Sequence, residues 1–559
     1  MDEDRRILVN EAEDEEDDFS EDILDTNQPN RSHENTCLNI VYFSSIVAAI
    51  GGLLFGYDVG VISGAKVQVA HEMDLTCGEE EALVSLMPMG ALSASLVTGK
   101  LLNRIGRKST IQLTAVAFTV GSLVMAFSDN LAVLLVGRFV VGFAVSLSAM
   151  SECLYISEIS APSNRGMLVS LNELGITLGF LLAFLVNYIL MDSVGGWRIM
   201  FGLSSVFAVF QFFLMWFLPE TPHYLVLRKN EAAAVKVLRR IHKTSSVKQE
   251  LANIRHSCQQ SQAASCSQLF STQDNLRWRT FIGIGLVILL QATGQPNILY
   301  YATDIFKAVG FCGDTLSAMA SVGLGLVKVG ATVISLVMVD RVGRRSLLLA
   351  GSTLMAISLL ALTIFAGYQY SASGYHQRET CSHGANYTDH LHKNAFSEIE
   401  HVTIPQIELC ESEELMLPSG IRYIAFCALV VYVTAFSFSF GPVTWILLTE
   451  LFPVSLKGDA MSLAQAVNWT ANVFVSVTFL DAVRVLTLPL VFTVHLIFGL
   501  LAILFIYLAV PETKGKSLEE ISKDLCGKKT SKPLCMTPQT GKLADTDEFD
   551  PVSTSSTGF

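Results

Sequence analysis

The sequence predicts an all-α membrane protein with twelve transmembrane helices in two pseudo-symmetric six-helix halves and short helices between the halves. Three observations predict it. Of the 559 residues, 51% are hydrophobic and only 16% are charged, with a mean hydropathy of +0.46; soluble chains carry about a quarter charged residues. Twelve runs reach the ~20 apolar residues that a lipid-spanning helix needs. Short motifs of the first half of the chain also recur, in order, in the second.

The elements follow in chain order. Residues 1–37 read as a disordered acidic tail. Residues 1–35 hold fourteen acidic residues against three arginines and no apolar segment of a cleavable signal. This tail carries most of the net charge of −13. The first span is therefore expected to act as its own insertion signal. No basic face outside short loops points to nucleic acid.

The spans of the first half, 38–218, fall near 40–66, 82–102, 110–128, 131–153, 168–190 and 197–218. A helical linker at 219–278 contains "NEAAAVKVLRRI" and "VKQELANIR", which read as amphipathic helices. The spans of the second half, 279–510, fall near 279–303, 317–339, 346–369, 420–448, 459–482 and 486–510. Residues 511–559 form a C-terminal tail.

Loop charge sets the orientation. "NRIGRK" (103–108), "DRVGRR" (340–345) and the linker are rich in Lys and Arg, and the alternate loops are poor in them. All the basic loops share one side if both termini are cytoplasmic. The polar stretch 370–419 then lies outside the cell or in a lumen, and the plasma membrane and internal membranes both remain open. That stretch carries the triplet "NYT", which makes Asn386 a glycosylation acceptor. It also carries Cys381 and Cys410, a candidate disulfide in an oxidising compartment. The other cysteines show no CxxC spacing, and most read as small buried hydrophobes, with no metal or cofactor motif.

The repeat is measurable. "SEISAPSNRG" (157–166) matches "TELFPVSLKG" (449–458), and "PET" occurs at 219–221 and 511–513. The acidic residues of both pairs, Glu158 with Glu450 and Glu220 with Glu512, stand 292 positions apart. "RIGR" (104–107) and "RVGR" (341–344) stand only 237 apart. The difference is an insertion, and 370–419 lies in the right interval. Parallel six-helix repeats mark a transporter architecture with its substrate site near the midplane between the halves.

With these motifs on the page, the chain resembles the sugar porter family of the major facilitator superfamily, and within it the class III facilitated glucose transporters. "GRFVVGF", "GGWRIMFG", "GPVTWILLTELFP" and "NWTAN" add to the match, which covers about 40–525. The resemblance implies a rocking transporter of hexoses, facilitative or proton-coupled. Dehydroascorbate and polyols such as myo-inositol are alternative substrates, and a non-transporting sugar sensor is the rival of another class. It implies no enzymatic chemistry, and no nucleophile elbow, metal cluster or phosphate loop argues for one. The implied partners are a small sugar, the lipid bilayer and protons.

A rocking transporter needs a cytoplasmic gate that can open cheaply. Arg104, Arg107, Lys108, Glu158 and Arg165 supply opposite charges in the first half; Arg341, Arg344, Arg345, Glu450 and Lys457 do so in the second. Exposed ion pairs are worth only ~0–1 kcal/mol each, which suits a gate.

A sugar presents hydroxyls in all directions, so its site needs amides that donate and accept, and aromatic faces for the C–H side of the ring. By resemblance, Gln291, Trp445, Asn468, Trp469 and Asn472 match pathway positions. Asn297 lies in the same turn of span seven, and Tyr300 and Tyr301 match an aromatic lid. Four positions depart from the family pattern: Glu173 stands where an amide is usual in span five, Lys328 where one is usual in span eight, and Leu290 and Pro296 where a glutamine and an asparagine are usual in span seven. Lys328 lies roughly 16 Å deep at 1.5 Å per residue. An unpaired ammonium at that depth is costly, so Glu173 and Lys328 are expected to pair across the interface, or else to be solvated by the cavity.

The stretch "GLLFGYDVGVISGA" (52–65) places Asp58 inside span one. Arg138 of span four lies at a similar depth. Proton-coupled members of the family resemble this chain in having both. Asp58 is thus a candidate proton-coupling switch paired with Arg138, and a permanent structural ion pair is the alternative.

Overall fold

The computed structural model describes residues 31–160, 164–241, 247–263, 266–308, 311, 313–372, 419–453, 456–514 and 520–521. The expected sites Cys381, Asn386 and Cys410 lie outside the described residues, as do most of the two tails. Among the described residues the chain is helical throughout. In the first half α1 (Arg31–Gly60) and α2 (Ile62–Met73) are separated only by Val61, which keeps helical dihedrals. They are followed by α3 (Cys77–Ile105), α4 (Arg107–Ala126), α5 (Leu131–Ile159), α6 (Arg165–Leu190) and α7 (Gly196–Trp216). The linker supplies α8 (Pro222–Leu227), α9 (Glu231–Ile241) and α10 (Val247–Ala263).

The second half begins with a broken span: α11 (Leu276–Ala292), α12 (Gln295–Tyr300) and α13 (Ala302–Ala308). Then come α14 (Asp314–Val342), α15 (Arg344–Ala372), α16 (Ser419–Phe438) and α17 (Phe440–Leu451). The last elements are α18 (Lys457–Val477), α19 (Phe479–Leu486) and α20 (Leu488–Ala509).

Among the described residues, eleven helices are long and apolar enough to cross a bilayer, and twelve spans result if α18 and α19 count as one span bent by 42°. The span expected near 459–482 is this bent pair. The chain is a multi-pass membrane protein. Large apolar side chains such as Leu96, Phe213, Ile357 and Leu504 stand exposed on its surface. Lipid solvates such faces, and helices satisfy their own backbone there.

Within the first half α1 packs on α6, α3 and α4 on α5, and α4 on α7. Gly56 lets α1 approach α6 closely, because a Cβ there would stand 1.8 Å from the Ile176 carbonyl oxygen. In the second half α15 packs on α16 and α20, and α11 on α18. Two seams join the halves: α3 on α18, and α6 on α14. The end that carries the basic turns is called inner here, as loop charge directs, and the other outer. Cys77, at the outer end, is disulfide-bonded. Cys77 and Cys427, which is exposed, thus stand apart from the buried hydrophobes that most of the cysteines were expected to be.

Candidate functional site

The cleft between the halves is built around the break in span seven. Gly294 takes φ +92°, and a Cβ there would meet the His495 ring at 2.7 Å, so only glycine fits. Pro296 opens the next helix at its first turn. A break frees carbonyls that lipid cannot satisfy. His495 Nδ1 lies 2.9 Å from the Ala292 carbonyl, and the Tyr432 hydroxyl donates to the Thr293 carbonyl at 2.9 Å. A carbonyl only accepts, so His495 Nδ1 carries the proton. Nε2 of the neutral ring is then free to accept from Asn297 Nδ2 at 3.5 Å.

The break turns amides into the cleft. Gln291 Nε2 donates to Asn468 Oδ1 at 2.6 Å, Asn472 Nδ2 donates to Gln291 Oε1 at 3.3 Å, and the Tyr300 hydroxyl donates to Asn472 Oδ1 at 3.1 Å. All four side chains are buried. Trp469 is buried beside them, its indole N–H unpartnered, with Phe55 of the first half 6.0 Å away. Trp445 is half-buried on α17, just after Pro442 and the break at Ser439. Tyr301 is fully buried and stacks on Phe479 at 4.6 Å.

Glu173 and Lys328 face each other's halves across the α6–α14 seam, within electrostatic range. They make no ion-pair contact with each other, so the expected pair is not closed in this conformation. Instead the Lys328 ammonium lies 5.1 Å from the Phe180 ring centroid and 5.8 Å from that of Phe436, one ring from each half. Such faces stabilise a cation electrostatically. Glu173 is half-buried, with a carboxylate oxygen 3.9 Å from where a Cβ on Gly441 would stand.

Asp58 and Arg138 are both fully buried in the first half. The expected carboxylate–guanidinium contact is corrected here too. Arg138 Nη1 donates to the main-chain carbonyl of Asp58 at 3.2 Å, and Nε donates to the Leu83 carbonyl at 3.2 Å. Neither carboxylate oxygen of Asp58 has a hydrogen-bond partner. Ser204 and Arg138 are its polar neighbours.

At the inner end the charged motifs close within each half. Arg107 donates twice to Glu158 Oε1, at 3.0 and 2.8 Å, and Arg344 Nη2 donates to Glu450 Oε1 at 3.1 Å. Glu220 Oε1 accepts the backbone N–H of Arg107 and of Lys108, each at 3.1 Å. Glu512 accepts those of Arg344 and Arg345 at 2.9 and 3.2 Å. Each "PET" glutamate thus caps the N-terminus of a membrane helix, where the helix dipole favours a negative charge. Burial pushes the Glu220 carboxyl above its ordinary value; the amide donors and Arg107 pull the other way.

Lys108 and Arg345 donate to the carbonyls of Trp216 and Tyr507, at 3.0 and 2.6 Å, rather than to carboxylates. Arg104 and Arg341 are exposed, and their own carbonyls accept from Tyr224 and Lys514. Lys457 is half-buried at the start of α18. Arg165 opens α6, and its side chain lies outside the described residues.

Sequence reasoning missed three features. His495 was missed because its role depends on packing against the span-seven break. Glu152 is fully buried in α5, with donors from Ser148 and from Gln211 Nε2. A carboxylate in an apolar run is a readable signal for it. Lys66 was missed, although it too follows an apolar run. Its partners could not be read, because Glu80 stands on the next helix and Asp304 lies 238 positions away in the other half.

The family model described as "Sugar (and other) transporter" matches residues 44–378 and 402–525. Human solute carrier family 2, facilitated glucose transporter member 10, is 39% identical over 519 residues, covering 85% of this chain and 92% of that protein. Human member 12 is 36% identical over 529 residues, covering 88% and 86%. Among solved structures, the proton:xylose symporter XylE bound to 6-bromo-6-deoxy-D-glucose superposes with a TM-score of 0.68 at 27% identity, covering 87% of this chain and 99% of that one. XylE from E. coli in a partially occluded inward-open conformation gives 0.67 at 26% identity, covering 86% and 100%. A break flanked by buried amides between two helical halves, and relatives matched along nearly their whole length, lead to one conclusion: this chain belongs to the sugar transporter family of the major facilitator superfamily.

Proposed function

We propose that the chain carries a hexose across the bilayer by alternating access, with the inner end facing the cytoplasm. The observation that carries this reading is the connected set Gln291–Asn468–Asn472–Tyr300, buried beside Trp469 between the halves. These amides satisfy one another. A sugar's hydroxyls exchange for those bonds one for one, while the indole offers a face to its C–H side. Counterflow in proteoliposomes with glucose, galactose, myo-inositol and dehydroascorbate tests it. Accelerated exchange of a hexose is expected. Binding without counterflow makes the chain a receptor, and counterflow of the polyol or dehydroascorbate alone moves the substrate class.

A second reading, proton coupling, is favoured by Asp58. Burying an ionised carboxylate without hydrogen bonds is expensive, and a neutral one costs far less. Binding and releasing a proton at Asp58, beside Arg138, supplies a step that the sugar gradient alone does not. Uptake at several external pH values, native against Asp58→Asn, tests it.

The Glu173–Lys328 arrangement belongs to the same proposal. The two charges line the seam that must open and close, and they supply one strong acceptor and one strong donor to a solute between the halves.

A further inference from the structure

At the outer end one lysine of the first half meets the lid of the second. Lys66 of α2 is 3% exposed, and its Nζ lies 2.5 Å from Asp304 Oδ2 of α13 and 3.4 Å from Glu80 Oε2 of α3. The same ammonium lies 5.0 Å from the centroid of the Tyr301 ring, which stacks on Phe479. The neighbouring contacts also cross between the halves: Glu81 Oε1 accepts from the Asp481 N–H at 2.9 Å, and the Thr315 hydroxyl donates to Asp192 at 2.9 Å. The outer mouth is therefore shut.

We propose that Lys66 is the positioning residue of this lid: from the first half it holds α12–α13 closed over the cleft through Asp304, and Glu80 keeps its charge paired when the lid lifts. The two carboxylates differ in which half they belong to. Opening the outer mouth carries Asp304 away with α13, while Glu80 stays with Lys66. A buried ammonium left with no partner would oppose opening strongly. Here it retains one carboxylate in both states. Asp304, already 34% exposed, passes into the widening mouth and its water. Lys307, on the same lid helix, is already paired with Asp314 of its own half. The latch thus favours closure while leaving opening affordable.

The inference rests on the alternating-access reading above, but its test needs no transported solute. Thr303 lies on the lid between Tyr301 and Asp304, 1% exposed. In full-length protein in intact cells, Thr303→Cys is labelled from outside with a membrane-impermeant thiol reagent, without reductant. The same chain with native Thr303 sets the background. Labelling should be slow with Lys66 and Asp304 in place. Asp304→Asn and Lys66→Gln should each speed it about tenfold, as expected for loss of one partly buried ion pair. Lys66→Arg should stay slow, because the charge pair survives. Glu80→Gln should also stay slow, because Glu80 does not cross between the halves. The proposal is overturned if Asp304→Asn and Lys66→Gln label at the parent rate. It is equally overturned if Glu80→Gln labels as fast as Asp304→Asn, which would make the cluster a general structural support. Failed counterflow with intact labelling differences would reject the sugar reading alone.

Discussion

Arg138 donates to the main-chain carbonyl of Asp58 at 3.2 Å while the Asp58 carboxylate keeps no hydrogen-bond partner. The guanidinium holds main-chain carbonyls of Asp58 and Leu83 rather than the acid itself. A permanent ion pair would look different, with the guanidinium fork on the carboxylate oxygens.

The first prediction follows from that arrangement. Native uptake should fall as external pH rises, because the proton must be loaded from outside. Asp58→Asn should flatten this dependence and should stabilise the protein, because a buried unpaired carboxylate costs ~1–3 kcal/mol. Uptake against pH and thermal unfolding in detergent are the readouts. An unchanged pH profile in the variant leaves Asp58 a structural role only.

Gln291 touches both Asn468 and Asn472. Gln291→Ala should strip both of a partner and remove a contact to the solute. A loss of ~1–3 kcal/mol per unsatisfied buried group corresponds to roughly 5- to 150-fold weaker apparent affinity in counterflow. A change below twofold would remove Gln291 from the site.

Glu173 and Lys328 interact across the seam without touching. Glu173→Gln and Lys328→Asn should each impair transport, and the double variant should recover much of the loss. A coupling of about 1 kcal/mol is expected in the double-mutant cycle. Strictly additive losses reject the coupling.

Glu220→Ala should free the first N–H groups of α4 and cost ~1 kcal/mol, seen as a lowered midpoint of thermal unfolding. The pH dependence has a definite sign. An acid held above its ordinary value when folded binds its proton more tightly in the folded state. Its contribution is therefore favourable at low pH and is lost as pH rises through the folded value. Glu220→Gln should lack that part of the slope.

Gly294→Ala should disrupt the span-seven break, because φ +92° is strained for any L side chain and the His495 ring fills the space. A cost of ~1–3 kcal/mol is expected. His495→Ala should relieve the clash but not the strain, so the double variant should recover only part of the lost stability.

The spans, the basic turns and the repeated anchors Glu158 with Glu450 and Glu220 with Glu512 were legible in the chain, because hydropathy and spacing are local properties. The amides of the "NWTAN" stretch and Gln291 were legible through family motifs. The bend between α18 and α19 was not, since neither Pro nor Gly marks it. The contacts of Glu173 and Lys328 were misjudged. The cost of an unpaired ammonium at depth suggested a pair, whereas the lysine lies over the rings of Phe180 and Phe436. Lys66 reads alone as a lysine near a helix end, where a long side chain ordinarily snorkels toward water.

Composition and repeat were enough to establish a doubled bundle in lipid with its charges concentrated at one end, because the bilayer penalises every exposed polar backbone group and most charges. Which charges meet depended on three-dimensional packing. Lys66 lies 14 positions from Glu80 and 238 from Asp304, yet it contacts both, because the close packing of two helical halves brings remote residues within a few ångströms and a periodic pattern along the chain carries no record of that distance.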